Sequence, residues 1–281
     1  MPSRRIAVII GTFALILAAC GGGGGSSGED MLARVKRDGV LRVATDSNYA
    51  PQSFLKEDGT SEGFDIDVAN EVAKRLGVKA EFQYPQWSVI EGGKWADRFD
   101  ISVGSMTVTE PRKEIFDFSQ TYYYTPAQMS VIADSGITSL DGLAGKVICT
   151  GEATSYWQWL QGTLKLGDGG AQTPVPNGAT ATTFATDQDC AQSAQSGRRD
   201  FEGFLTSSTT LKAAIDAGAP LAAVGDPVYF EPLAIAIDKA SPPHAELNAA
   251  IDKAIAEMHA DGTLSGLAKK WFDGVDLSVK Q

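Results

Sequence analysis

The chain has 281 residues, of which 43% are apolar, and its formal net charge at pH 7 is -11. This length suits two domains better than one, and the apolar fraction is enough to build packed cores. The negative charge argues against nucleic acid or an anionic lipid surface as the partner of the folded part.

The first residues predict an export signal rather than part of the fold. Arg4 and Arg5 precede an apolar run at 6–17, which is too short to span a bilayer comfortably. The run ends in LAAC and resembles a lipobox, where a bacterial lipoprotein is cleaved and lipidated on its cysteine, here Cys20. An ordinary signal with a chance cysteine is the alternative. We therefore expect a lipoprotein signal peptide at 1–19 and a flexible Gly/Ser tether at 20–29.

Helical and strand patterns alternate along the rest of the chain. The patterns predict strands at 40–44, 79–84, 99–103, 146–150, 201–205, 221–224 and 231–238. They predict helices before Gly39, in GFDIDVANEVAKRLG, at 154–165, 187–196 and 208–217, and as a C-terminal pair broken at Asp261-Gly262. Residues 167–183 read as a loop or a weak strand. This alternation indicates an α/β protein with a mainly parallel sheet.

Two cysteines remain if Cys20 carries lipid. An exported chain with Cys149 and Cys190 left over is expected to pair them, and two buried free thiols are the alternative. Closing this loop of roughly 40 residues would contribute on the order of 4 kcal/mol to the free energy of unfolding in the chain-entropy model.

The residue types that carry catalysis are sparse. His244 and His259 are the only histidines, both are predicted on surface helices, and neither belongs to a nucleophile elbow or a metal-ligand cluster. The glycine run at 21–25 follows no strand, so it does not predict a phosphate loop. We therefore expect no catalytic residues, no cofactor and no metal.

Binding residues cluster where strands end. Ligands of open α/β sheets lie outside the carboxyl ends of the strands, which places the loops 46–51, 104–112 and 151–155 together. Tyr49 and Trp87 could form flat apolar walls. Thr109 can cap a short helix, so that free backbone N–H groups, hydroxyls and Arg112 converge on an anion. On the residues alone, the alternative of a surface pairing of Arg112 with Glu114 or Asp117 is favoured over this anion site.

Three blocks carry a resemblance to a known family. These are LRVATDSNYAPQSFLKEDGTSEGFDIDVANEVAKRLG, FDISVGSMTVTEPRKEIFDFSQTYYY and ADGTLSGLAKKWF. In order and spacing the chain resembles the polar amino-acid solute-binding proteins of ABC importers over 40–272. The resemblance implies a two-lobe periplasmic-binding-protein fold of type II, with a ligand cleft between lobes that are joined by strands crossing near 127–132 and 230–236. Lobe 1 would then comprise 30–127 and 231–281, and lobe 2 would comprise 128–230.

The resemblance also implies residue roles. Arg112 and Thr107 match positions that hold the ligand's α-carboxylate, and Thr154 matches a lobe 2 group that touches it on closure. Gly104 and Ser105 match positions that accept from the α-ammonium or line the site. Tyr49 matches a stacking aromatic, and Asp46 matches a position that senses the ligand side chain. The expected ligand-binding set is Asp46, Tyr49, Trp87, Gly104, Ser105, Met106, Thr107, Arg112, Glu152 and Thr154.

The chain departs from the family pattern at three places. Gln52 stands where the family usually has an aromatic, and Glu152 stands where it usually has glycine. The family also places an aspartate for the α-ammonium near the end of the strand at 201–205, where this chain has Leu205, Thr206 and Ser207. Because a buried ammonium without a carboxylate is costly, we expect Glu152 to replace that aspartate, or the ligand not to be a standard α-amino acid.

The function that follows is a receptor for a small polar solute, an amino acid or a related compound. It would be anchored by lipid to the outer face of the bacterial cell membrane, act as a monomer and deliver its ligand to an ABC permease. One alternative is a cleft enzyme of the same fold, a cyclohexadienyl or arogenate dehydratase, with Glu152 or Asp46 as general acid. Another is a ligand-sensing module for a signalling partner.

Overall fold

The computed structural model describes residues 30–280. The predicted signal peptide, the lipidation of Cys20 and the tether lie outside the described residues. Within 30–280, no helix combines the length and the apolar character that crossing a membrane requires.

Helices and strands alternate through the described chain. The strands are β1 (Val40–Ala44), β2 (Asn48–Tyr49), β3 (Ser53–Leu55), β4 (Ser61–Glu62), β5 (Lys79–Gln83), β6 (Ile101–Thr107), β7 (Phe116–Phe118), β8 (Tyr123–Ile132), β9 (Val147–Gly151), β10 (Thr180–Phe184), β11 (Gly203–Ser207), β12 (Leu221–Ala223) and β13 (Tyr229–Asp238). The helices are α1 (Met31–Asp38), α2 (Phe64–Arg75), α3 (Trp87–Glu91), α4 (Glu110–Ile115), α5 (Ser155–Leu160), α6 (Asp187–Gln195), α7 (Ser208–Asp216), α8 (Ala245–Ala260) and α9 (Thr263–Trp271), and Leu140–Leu143 forms a 3-10 turn.

The predicted elements are found, although β6 and β11 begin two residues later than predicted and end at Thr107 and Ser207. Two further differences concern α5 and the segment at 167–183. Helix α5 ends at Leu160 rather than near residue 165, because Gly162 adopts a left-handed φ of 66° and turns the chain out of the helix. The undecided segment at 167–183 leads into strand β10, which pairs in parallel with β9 from Thr180↔Val147 onward.

One continuous sheet path runs through both lobes, in the order β10-β9-β11-β8-β13-β6-β1-β5. Its two ends are parallel, as predicted: β1 pairs with β5 and β6, and β9 pairs with β10 and β11. Its centre is antiparallel, because the chain crosses between the lobes on β8 and returns on β13, which pair from Tyr229↔Ala127 to Leu233↔Tyr123. The predicted α/β two-lobe fold with two crossing strands is confirmed, while the sheet is mixed rather than mainly parallel.

Separate hydrophobic clusters lie on either side of the crossing strands. The largest packs α2, α8 and α9 on the sheet of lobe 1, with Phe64, Ile101 and Ile255 fully buried. Two others draw their residues from 127–229. The lobe boundaries at 127/128 and 230/231 stay a prediction, and we keep the names lobe 1 and lobe 2 for those ranges.

The predicted disulfide is present between Cys149 and Cys190, which are 41 residues apart. It joins strand β9 to helix α6, and both cysteines are fully buried. The bond fixes the start of α6 beside the end of β9, and both of these chain segments border the cleft.

Candidate functional site

A cleft of about 450 Å³, partly open to solvent, lies between the lobes at the carboxyl ends of the parallel strands. Its lining combines hydroxyls, aromatic rings, carboxylates and one guanidinium. The lining residues are Asp46, Tyr49, Trp87, Gly104, Ser105, Thr107, Arg112, Gly151, Thr154, Ser155, Tyr156, Ala185, Thr186, Asp187 and Glu231.

The guanidinium belongs to Arg112, which is only 1% exposed. Thr109 caps helix α4 by accepting from the Arg112 N–H at 3.3 Å, which fixes the backbone below the side chain. Nη1 donates to the Thr107 carbonyl (3.0 Å) and Nη2 donates across the cleft to the Ala153 carbonyl (2.9 Å). The alternative of a surface ion pair is therefore wrong.

Within residues 30–280, the surroundings of Arg112 pair its charge with a carboxylate but leave one of its nitrogens without a hydrogen bond. Its guanidinium lies 5.4 Å from the centre of the Trp87 ring, and Nε is 3.6 Å from a carboxylate oxygen of Glu91. Nε has no hydrogen-bond partner among the described residues. Burial lowers the pKa of Arg112, and the carboxylates of Glu91 and Glu231 oppose this shift. A buried, under-bonded guanidinium is suited to hold a carboxylate.

The cleft floor carries a carboxylate, Glu231, on the crossing strand β13. It is 2% exposed and accepts hydrogen bonds from hydroxyls of both lobes. Oε1 accepts from Thr107 (2.6 Å) and Ser155 (2.6 Å), and Oε2 accepts from Tyr156 (2.7 Å) and Thr125 (3.0 Å). Glu231 therefore organises hydroxyls of lobe 1 and lobe 2 around one point of the hinge.

Behind the cleft, Ser105 is held in a left-handed backbone conformation, with φ of 54°. Its hydroxyl donates to Asp65 (2.7 Å), and its N–H donates to the Tyr122 hydroxyl (3.2 Å), which in turn donates to Asp65 (2.6 Å). Burial raises the pKa of Asp65 to about 7. Because the Ser105 hydroxyl is used behind the loop, this residue offers the cleft mainly its backbone.

Two further carboxylates line the cleft. Asp46 accepts from the Asn48 N–H (2.7 Å), and burial raises its pKa. Asp187 opens helix α6, is 4% exposed, and accepts from the Gly151 N–H (2.6 Å) and the Thr206 hydroxyl (2.9 Å). Burial raises the pKa of Asp187 to about 7, and the charges of Glu231 and Asp46 add to the shift. A positively charged group in the cleft would stabilise the ionised form of both.

The structure brings the predicted ligand-binding residues together in the cleft, except Met106 and Glu152. Met106 is fully buried in a core cluster with Trp95 and Phe116. Glu152 is exposed and is not part of the lining, so it is not placed to meet a buried ammonium.

Several lining residues were missed by the sequence reasoning, above all Tyr156, Thr186, Asp187 and Glu231, whereas Ser155 lies in the predicted loop 151–155. Strand β10 supplies the signal that could have found two of them. Thr186 and Asp187 follow its carboxyl end, as the predicted loops follow theirs. Glu231 carries no such signal, because it lies within a strand.

Neither histidine lines this cleft. His244 contacts a carboxylate oxygen of Asp117 at 2.9 Å, and His259 contacts the Thr121 carbonyl at 3.2 Å. Among residues 30–280, no group of three or more His, Cys, Asp or Glu side chains is arranged to hold a metal ion.

Comparisons with known proteins point to one family. The profile of the bacterial extracellular solute-binding proteins, family 3, matches residues 41–274. The chain is 29% identical over 274 residues to the L-cystine-binding protein TcyJ of Escherichia coli (strain K12), covering 96% of each chain.

Solved structures with the same fold include two ancestral binding proteins. One is an ancestral arginine-binding protein bound to arginine, with a TM-score of 0.71 and 31% identity, covering 83% of this chain and 98% of that one. The other is an ancestral amino acid-binding protein described as a precursor of cyclohexadienyl dehydratase, with a TM-score of 0.71 and 32% identity, covering 86% of this chain and 99% of that one. With its two lobes, its interlobe cleft and a profile match over most of its length, the chain belongs to the family 3 bacterial extracellular solute-binding proteins.

Proposed function

We propose that the chain binds a small polar solute, an amino acid, between its lobes and delivers it to an ABC permease. The observation that carries the proposal is Arg112, a guanidinium buried in the cleft with Nε lacking a hydrogen-bond partner among the described residues. A cation held in this way favours an anionic group, and a planar guanidinium binds a carboxylate through two parallel hydrogen bonds.

The ligand's carboxylate would lie against Arg112 and the hydroxyls beside it. Thr107 and Ser155 face each other across the cleft at 3.2 Å, and both reach Glu231. A ligand carboxylate would compete with Glu231 for these donors, so binding would rearrange the hinge hydroxyls. Thr154 caps helix α5 by accepting from the Trp157 N–H, and its side chain borders the same space.

The ligand's ammonium would lie against Asp187. This carboxyl group occupies the lobe 2 side of the cleft and is already bonded by a backbone N–H and a hydroxyl, which hold its orientation. It replaces Glu152 as our candidate for the missing family aspartate, since Glu152 is exposed. Tyr49 would cover the ligand, and Asp46 would meet its side chain.

Delivery to a permease would use the closure of the lobes. Ligand bound between two lobes favours the closed form by its contacts with both, and the closed form presents a distinct surface to a partner. We place the folded part outside the cytoplasm, held to the cell membrane through lipidated Cys20 and acting as a monomer. The matched relatives, including the cystine-binding protein TcyJ, support the assignment as an amino-acid receptor over an assignment as an enzyme.

A thermal-shift screen tests the proposal. Binding to the folded state raises the melting temperature, by an amount that grows with ligand concentration. We expect at least one of about twenty amino acids, with cystine and ornithine added to the panel, to raise it in a saturable way. No shift with any of them would reject the amino-acid assignment.

One observation favours a second candidate, a dehydratase acting in the same cleft. A general acid needs a pKa near the working pH, and the pKa of Asp187 is raised to about 7. Incubation with prephenate and arogenate, followed by absorbance, distinguishes the two: turnover that disappears in Asp187→Asn would indicate the enzyme, and tight binding without turnover would indicate the receptor.

A further inference from the structure

Gln52 forms a hydrogen-bonded contact between the lobes that the proposed ligand site does not use. Its side chain is fully buried at the lobe interface. Nε2 donates to the hydroxyls of Thr209 (2.6 Å) and Ser207 (3.1 Å), and Oε1 accepts from the Thr210 hydroxyl (3.2 Å). Both ends of one lobe 1 amide are therefore bonded to lobe 2.

The lobe 1 side of this contact is held rigidly. The Gln52 N–H donates to the Tyr49 carbonyl (2.9 Å), and the Gln52 carbonyl accepts from the Asp65 N–H (2.8 Å). Gly63 packs so closely that a Cβ there would lie 2.1 Å from the Gln52 carbonyl oxygen, which explains why this position, with φ of 135°, is glycine. These contacts fix the backbone from which the Gln52 side chain extends to lobe 2.

The lobe 2 side is a cluster of three hydroxyls at the junction of β11 and α7. Ser207 caps α7 by accepting from the Thr210 N–H (3.2 Å), and its hydroxyl donates to the Thr210 hydroxyl (2.9 Å) and contacts that of Thr209 (3.1 Å). A hydroxyl cluster fixed by a helix cap offers both donors and acceptors, which an amide can satisfy at once.

Two departures from the family pattern meet in this contact. Gln52 stands in place of an aromatic, and Ser207 belongs to the segment where a ligand-binding aspartate is missing. The cleft lining includes none of the four residues in this contact, which are Gln52, Ser207, Thr209 and Thr210. In this chain both places therefore join lobe to lobe.

We propose that Gln52 and the Ser207, Thr209 and Thr210 hydroxyls form an interlobe latch that favours the closed form of the protein without touching the ligand. Gln52 is a positioning residue in this account. Its use in retaining a bound solute rests on the proposed function, whereas the latch itself acts whether or not an amino acid is bound.

Backbone amides that are bonded across the lobes can report the opening. The Glu110 N–H donates to the Lys165 carbonyl (2.8 Å), and the Gly167 N–H donates to the Val108 carbonyl (2.9 Å). Neither pair contacts the latch. Hydrogen–deuterium exchange of the full chain, followed by mass spectrometry of peptides with these amides, measures how often the lobes separate.

The test compares Gln52→Ala and Thr209→Val with the wild type in the absence of added solute. Loss of two or more hydrogen bonds is expected to speed exchange of the reporter amides about tenfold in Gln52→Ala, and less in Thr209→Val. Amides inside lobe 1, in β1 and α2, should keep their wild-type rates. The double variant should exchange no faster than Gln52→Ala, because the two side chains act through one contact.

Lys212→Ala is the matched control. Lys212 lies on the same helix, α7, and forms an ion pair with Asp273 of lobe 1 at 3.0 Å, but both side chains are more than half exposed. Loss of this ion pair should leave the exchange rates of the reporter amides within about twofold of the wild type, since exposed ion pairs contribute little to stability.

Reporter rates in Gln52→Ala within twofold of the wild type would overturn the latch, as would equal acceleration of the amides in β1 and α2, which indicates general destabilisation. If Gln52→Ala does not fold, Thr209→Val decides by the same criterion. A failed amino-acid screen would reject the proposed function and leave this result standing.

Discussion

At pH values above about 7, Asp187 is expected to lower the stability of the folded protein, although its carboxylate would bind the ligand's ammonium. Burial raises its pKa from 3.8 to about 7, so the folded protein holds the proton more tightly than the unfolded chain does. The stability that this group contributes is fully present below about pH 4, and it is lost as the pH rises through about 7. Above that pH, the ionised carboxylate is buried at a cost.

The size of that cost follows from the shift. A change of about three pKa units corresponds to roughly 4 kcal/mol in the free energy of unfolding, at about 1.4 kcal/mol per unit. In Asp187→Asn the amide oxygen can still accept from the Gly151 N–H, and the Thr206 hydroxyl can turn to accept from the amide nitrogen. We therefore expect Asp187→Asn to be more stable than the wild type at pH 8, by up to about 4 kcal/mol, with no gain at pH 4.

Ligand affinity should change in the opposite direction. If Asp187 pairs with the ammonium, its removal deletes a charge-assisted hydrogen bond, which corresponds to about 10- to 150-fold in the dissociation constant. The affinity of the wild type should also fall as the pH drops below about 7, because the carboxyl group must be ionised to pair with the ammonium. In Asp187→Asn, ligand affinity should depend less on pH, and the dependence that remains would come from Asp46.

Urea unfolding at pH 4, 6 and 8 and calorimetric titration with the best amino acid measure the two effects. Asp216→Asn is the control, since Asp216 is an exposed carboxylate on a lobe 2 helix. A stability difference between Asp187→Asn and the wild type that does not depend on pH would refute the electrostatic reasoning. Unchanged affinity would remove Asp187 from the ligand site.

Three other variants probe the site and the fold. Glu152→Ala should bind the ligand within about twofold of the wild type in calorimetry, because its side chain is exposed and outside the cleft; a large loss would restore it as the ammonium partner. The Cys149→Ala/Cys190→Ala double variant should lose about 4 kcal/mol of unfolding free energy in urea, because the bond closes a loop between cysteines 41 residues apart. An unchanged free energy of unfolding would contradict this loop-closure reasoning. Thr107→Val should weaken ligand binding by about tenfold in calorimetry. The substitution removes the Thr107 hydroxyl, which lies 2.6 Å from Glu231 and would donate to the ligand instead. Full affinity would show that this hydroxyl is not a ligand contact.

The half of the site in lobe 1 was largely predictable from local sequence. Asp46 comes shortly after β1, Thr107 ends β6, and Arg112 lies in the helix that follows β6. The strand patterns are clear, and the cap at Thr109 is a local signal that depends on only a few residues. The parallel ends of the sheet could be anticipated for the same reason, because strands there alternate with helices.

The half of the site in lobe 2 depended on features that the sequence left open. Strand β10 has the half-buried, threonine-rich sequence TATTF, which local patterns do not separate from a loop, so the position of Asp187 at its carboxyl end could not be seen. Glu231 begins the predicted strand at 231–238, and the hydroxyls that bond its buried carboxylate come from as far as 124 residues away in the chain. Glu152 was predicted inside the cleft because local sequence fixes a turn but not the direction in which its side chain points.

Arg112 is the central carboxylate-binding group of the proposed site. Calorimetric titration of Arg112→Ala with the amino acid that gives the largest thermal shift tests this role, with circular dichroism and the melting curve to verify the fold. We expect binding to fall below detection, and Arg112→Lys to recover little of it, since an ammonium cannot reproduce the paired hydrogen bonds. Wild-type affinity in a folded Arg112→Ala would contradict the proposal that a carboxylate ligand is held in this cleft.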